Sequence, residues 1–168
     1  MLQKMIFTEA IFRLPIILRC DEHNKHYLTT IKEKLKQEYE KKAFETFGII
    51  DEIKEIVDIH HEELMTVQPS VHFIVNTLVS TYYPRKNDVI HIETFKILKY
   101  GIYIQKDSFR VLIPIQADIH QIQEENGELV FQANSRTIRP KDEITIQLVD
   151  IRYENTGFNC LANLFNDN

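Results

Sequence analysis

The sequence is poor in the residues that break structure: only 4 glycines and 5 prolines in 168 residues. That scarcity excludes collagen-like and linker-like chains, which depend on both. No apolar run approaches the roughly 20 residues needed for a membrane-crossing helix, so no membrane partner is expected. The opening residues, Met1-Leu2-Gln3-Lys4, lead to no small-residue cleavage site behind an apolar core, so no secretory leader is expected. Cysteine is limited to Cys20 and Cys160. Two thiols so far apart read as buried thiols of an intracellular, reducing compartment rather than as a disulfide or a metal pair. Positive charge is also in deficit. The formal net charge is −5, which argues against holding duplex nucleic acid mainly by charge and leaves weak contact with single strands open. Residues 1–84 carry 10 basic and 13 acidic side chains and residues 85–168 carry 10 and 12, so neither half is a basic arm or an acidic tail. There is no Gly-rich phosphate loop, no G-x-S-x-G elbow and no H-E-x-x-H. No enzymatic activity, cofactor or metal is therefore expected.

What is present is an ordinary globular composition, 43% hydrophobic and 27% charged. Residues 5–18 are rich in β-formers, with Pro15 breaking the run or marking an edge. Asp21 to Asn24 can cap a helix. From Asn24 to Phe44 the period changes, and Leu28, Ile31, Leu35 and Tyr39 form the buried stripe of one amphipathic helix. Gly48 restarts extended structure through Val57, His60-His61-Glu62-Glu63 reads as a solvated tip closed by Pro69, and Val71 to Val79 is a strong strand. Tyr82 to Asp88 is turn-like and marks a domain boundary, dividing the chain into residues 1–84 and 85–168. The second part reads as successive strands. Val89 to Leu98 alternates as one strand, Ile102 to Gln105 and Phe109 to Ile113 follow, Gln116 to Glu125 suggests a helical turn, and Glu143 to Arg152 and Asn159 to Leu164 close the series. Five principal strands with one excursion after the third predict a small closed barrel. The expected fold class is α+β: an N-terminal helix packed on an antiparallel sheet, then a five-stranded OB barrel.

Four stretches, in order, carry a family resemblance: Thr30-Ile31-Lys32-Glu33-Lys34-Leu35, Phe47-Gly48-Ile49-Ile50, Val75-Asn76-Thr77-Leu78-Val79 running into Tyr83-Pro84-Arg85-Lys86-Asn87-Asp88-Val89, and Lys99-Tyr100-Gly101-Ile102-Tyr103-Ile104. Over nearly its whole length the chain resembles the larger stalk subunit of multisubunit DNA-dependent RNA polymerases, the seventh subunit in eukaryotes and its archaeal counterpart. It departs from that pattern at Asn87, where the family usually has glycine, and at Pro114, where many S1-type barrels carry histidine or an aromatic. The Ile-, Lys- and Asn-rich vocabulary suits an AT-rich genome, such as that of a large DNA virus encoding its own polymerase.

The resemblance implies a non-catalytic subunit that docks on the polymerase core through its N-terminal domain and contacts nascent single-stranded RNA through an S1-type OB domain. It leaves a second stalk subunit open as a further partner. Localisation would be nuclear or cytoplasmic, or in a viral factory or virion. The docking candidates are Phe47, Gly48, Ile49 and Pro69. The RNA candidates are Tyr103, which matches the family's aromatic position, with Lys99, Lys106, Arg110 and Arg152 in reach of phosphates. Stacking on an aromatic ring tolerates every base, so weak binding without strong sequence preference is expected. Phe109 and Tyr103 can equally fill the barrel, and Arg152 can equally pair with Asp150 or Glu154. A free-standing S1-type RNA-binding module of translation or RNA processing is the alternative.

Overall fold

The computed structural model describes residues 7–19, 21–22, 26–65, 70–116, 119–125, 127–133 and 136–165, with the backbone alone for 61–65. Cys20 and Pro69 lie outside the described residues. Two compact units emerge, Phe7–Tyr83 and a second that begins at Pro84.

The first unit contains β1 (Thr8–Arg19), α1 (Tyr27–Tyr39), β2 (Lys42–Phe44), β3 (Gly48–Met65) and β4 (Ser70–Tyr82). The strands form one antiparallel sheet in the order β1-β4-β3-β2. Alternation in β1 buries Leu14, Ile16 and Leu18, and alternation in β4 buries Phe73, Val75 and Val79. The helix adds Ile31, Leu35 and Tyr39 to this core, and the Tyr39 hydroxyl donates to the Pro15 carbonyl at 2.8 Å. Pro15 is tolerated because β1 is an edge strand.

Two expectations need correction here. The helix is shorter than its periodicity suggested. Glu40 is already extended and Lys41 has φ 60°, so residues 42–44 join the sheet; at the other end Leu28, in the first turn, is 51% exposed. The His60–Glu63 stretch is not a loop tip but part of the 18-residue strand β3. Ile50, Ile53, Ile56 and Ile59 recur at three residues, yet they pair with Thr81, Val79, Thr77 and Val75, which recur at two. A bulge in each interval absorbs the extra residue, so a strand carries a helix-like spacing.

The second unit contains β5 (Val89–Ile92), β6 (Lys96–Leu98), β7 (Gly101–Lys106), β8 (Phe109–Pro114), β9 (His120–Glu125), β10 (Glu128–Ala133), β11 (Arg136–Ile138), β12 (Ile144–Glu154) and β13 (Gly157–Leu164). Six of these form a sheet in the order β5-β12-β13-β8-β7-β6, with β13 and β8 parallel. The other three form a separate sheet, β11-β10-β9. The inward face carries Ile102 and Ile104, Phe109, Val111 and Ile113, and Phe158, Cys160 and Ala162, all buried. The outer strands β5 and β6 are separated by only Glu93, Thr94 and Phe95. That connection spans at most about 14 Å, whereas five strand spacings in a flat sheet are about 24 Å. The sheet must therefore curl into a half-barrel.

The expected fold class does not hold. The chain is mostly β, with one 13-residue helix among the described residues, rather than α+β. The second unit is not a closed five-stranded OB barrel, because no ladder joins β5 to β6 among the described residues. The single strand read over Val89–Leu98 is two strands with separate partners. Its buried residues, Ile90, Ile92, Phe95 and Ile97, change parity at the break. Of the helical turn read over Gln116–Glu125, only the start is a turn, with the Ile119 and His120 N–H groups donating to the Gln116 carbonyl, and His120–Glu125 is strand β9, paired with β10.

Candidate nucleic-acid interface

The outer face of the curled sheet follows from its registers. Directly paired residues share a face, so β7, β8, β13 and β12 present two transverse rows. One runs Tyr103, Leu112, Leu161, Asp150; the other runs Gln105, Arg110, Asn159, Arg152. Lys96 of β6 pairs with Tyr103 and extends the first row. The rows border an open groove of about 450 Å³. Its apolar strip is Tyr103, Leu112 and Leu161, the last 43% exposed.

A β-bulge decides what the far end of the groove carries. In β12 the inward residues are Ile144, Ile146 and Leu148, and uninterrupted alternation would send Asp150 and Arg152 inward as well. The register shifts between Leu148 and Asp150, so Val149 is the extra residue. Beyond it Ile151 pairs with the buried Cys160, while Asp150 and Arg152 turn to the groove. Bulges beside sites commonly re-aim side chains in this way.

Within the groove the Arg110 guanidinium donates to Asn159 Oδ1 at 3.5 Å, and the Tyr103 hydroxyl donates to Gln105 Oε1 at 3.3 Å. Arg152 Nε stands 3.4 Å from Asp150 Oδ2, so the alternative of a surface ion pair for Arg152 is realised with Asp150. Both partners are at least half exposed, and solvent screening keeps such a pair weak. Two guanidinium groups, one aromatic ring and two leucines thus meet on a solvent-facing sheet surface. That combination can hold an anionic backbone beside an unpaired base.

The structure separates the five RNA candidates. Tyr103, Arg110 and Arg152 line one groove. Lys99 is exposed in the turn before β7 and does not line it. Lys106 has the parity of the inward residues Ile102 and Ile104, opposite to Tyr103. Phe109 is 1% exposed and fills the core. The sequence singles out neither Asn159, Leu161 nor Lys96, and offers Asp150 only as an ion-pair partner for Arg152. Only Leu161 had a usable signal, as an exposed apolar residue on the outward side of a strand whose inward residues are Phe158, Cys160 and Ala162.

The docking candidates are placed differently. Gly48 and Ile49 are buried, and Phe47 packs at 4.6 Å between ring centroids on Phe12 within the first core. In the histidine-rich stretch, His60 Nε2 lies 3.0 Å from Asp58 Oδ2 and 3.2 Å from Asn76 Nδ2. No cluster of metal-ligating side chains occurs among the described residues. Cys160 is a free, buried thiol, and burial, with a smaller effect of Asp150, pushes it up to about 12. Among the described residues no helix is long and apolar enough to cross a membrane. No family model matches the chain, and no curated protein matches it.

Proposed function

We propose that this protein is a non-catalytic RNA-binding accessory subunit that contacts single-stranded RNA through the outer groove of its second unit, in the role of a polymerase stalk subunit. The observation that carries the RNA reading is the convergence on one groove of Tyr103 and Arg110, from the β7–β8 hairpin, with the remote Arg152 of β12. The ring stacks a base, and the two arginines take adjacent phosphates. Support for the stalk role is the order of the four sequence stretches. One detail fits it: Asn87 has φ 73°, the left-handed conformation that the family's glycine would adopt and that asparagine tolerates. Weak affinity suffices there, because a polymerase holds its transcript nearby at high effective concentration. A free-standing RNA-binding module is favoured by the burial of Gly48 and Ile49, two of the four residues expected to dock on the polymerase core.

The test has two arms. In the first, a labelled single-stranded oligoribonucleotide is titrated and read by anisotropy. Tyr103→Ala should weaken binding by roughly 1–3 kcal/mol. Unchanged affinity would remove Tyr103 from the interface. In the second, the native protein is recovered from its source and its companions are identified by mass spectrometry. Large polymerase subunits support the stalk role, and their absence supports the free module.

A further inference from the structure

The groove retains a group that phosphates would avoid, the carboxylate of Asp150. The bulge at Val149 turns it outward, and it ends the row that begins with Tyr103, Leu112 and Leu161. Arg110 and Arg152 occupy the neighbouring row with Asn159 between them. A strand whose phosphates follow the arginine row lays successive bases over the apolar row, and the base at its far end lies beside Asp150, three strand spacings (about 14 Å) from Tyr103. A carboxylate accepts hydrogen bonds and donates none. Bases differ in what they offer it. The Watson–Crick edge of uracil has one N–H between two carbonyl oxygens. Cytosine and adenine have one amino group beside a bare ring nitrogen. Guanine alone has two adjacent donors, N1–H and N2–H, matched to the two oxygens of a carboxylate.

We propose, on the basis of the RNA reading above, that Asp150 reads the base and that the groove prefers single-stranded RNA carrying an unpaired guanine. This replaces the expectation of binding without sequence preference. Arg152, 3.4 Å from Oδ2, orients the carboxylate as well as meeting phosphate. The apolar strip supplies stacking that every base shares, and Asp150 supplies the difference between bases.

The experiment uses the full chain and three labelled eight-nucleotide RNAs: oligouridine, the same with one central guanine, and the same with inosine in that place. The guanine oligomer should bind about tenfold tighter than oligouridine. Inosine, which keeps N1–H but lacks the amino group, should fall between them. Asp150→Asn should bring the guanine oligomer down to the level of oligouridine. Equal binding of guanine and uridine oligomers by the native protein would overturn the inference while leaving the RNA reading intact. So would an Asp150→Asn protein that binds both more tightly with their ratio unchanged, because Asp150 would then only restrain Arg152. Binding of none of the three RNAs would remove the RNA reading itself and this inference with it.

Discussion

At Gly48 the backbone has φ +76°, and a Cβ would lie 2.6 Å from the Tyr82 carbonyl oxygen and 3.0 Å from Tyr83 Cα. Backbone cannot yield as a flexible side chain would, so the need for glycine is internal to the first unit. Gly48→Val should destabilise the protein by about 2 kcal/mol or more, read as a lower urea midpoint. Gly127 has a similar φ of +81° but nothing within 4 Å, so Gly127→Asn should shift the midpoint little. Gly48→Asn, whose backbone tolerates this φ but whose Cβ still meets the Tyr82 carbonyl, should cost far more than Gly127→Asn; equal effects would show that close approach is not the cause. Cys160 makes a second residue-scale prediction. Burial raises its thiol from the ordinary 9.0 to about 12. The folded state then holds its proton where the unfolded state loses it, so this contribution is complete below pH 9 and is lost as pH rises from 9 to 12. Cys160→Ala should flatten the decline in stability across that window. Iodoacetamide at pH 8 should label Cys160 only after unfolding.

At the scale of elements, the helix and β3 teach opposite lessons about periodicity. The stripe Leu28, Ile31, Leu35, Tyr39 has the right spacing, yet only its last three members are buried, because α1 is a single 13-residue helix starting at Tyr27. Leu28 sits in its first turn and looks to solvent. Leu35→Ala should cost about 2–5 kcal/mol, whereas Leu28→Ala should stay within about 0.5 kcal/mol by denaturant titration. In β3 the isoleucines at 50, 53, 56 and 59 have helical spacing and are nevertheless strand residues, since β4 imposes its two-residue repeat through the bulges. The same device at Val149 sets the polarity of the groove. Nothing local in Leu148-Val149-Asp150 announces it; the pairing of Leu148 with Ala162 and of Asp150 with Leu161 does.

For the whole molecule, charge limits what the groove can do. A net charge of −5 gives no long-range attraction for RNA, so affinity rests on the few cations at the surface that binds. With Arg110 and Arg152 as the two phosphate contacts, log K against log salt should fall with a slope of about −1.4, and Arg152→Gln should halve it. A much steeper native slope would mean that a further cation reaches phosphate, first of all Lys96, which borders the groove beside Tyr103. Lys99 and Lys106 lie apart from the groove, the first in a turn and the second on the inward parity of β7.

While Tyr103 and Arg110 entered through the family resemblance, from the sequence alone came the strands β1, β4, β7, β8, β12 and β13, the helix with its buried Ile31, Leu35 and Tyr39, and the buried thiol at Cys160. These are local properties, since a side chain's face follows from its neighbours two, three or four positions away. The tertiary structure alone decided the rest: the split of residues 89–98 between two partners, the curl of the six-stranded sheet, the bulges of β3 and β12, and the meeting of Asp150, Arg152 and Asn159 with Tyr103. Each depends on which strand lies alongside. Pairing partners are set by burial summed over a whole sheet, which no window of sequence contains.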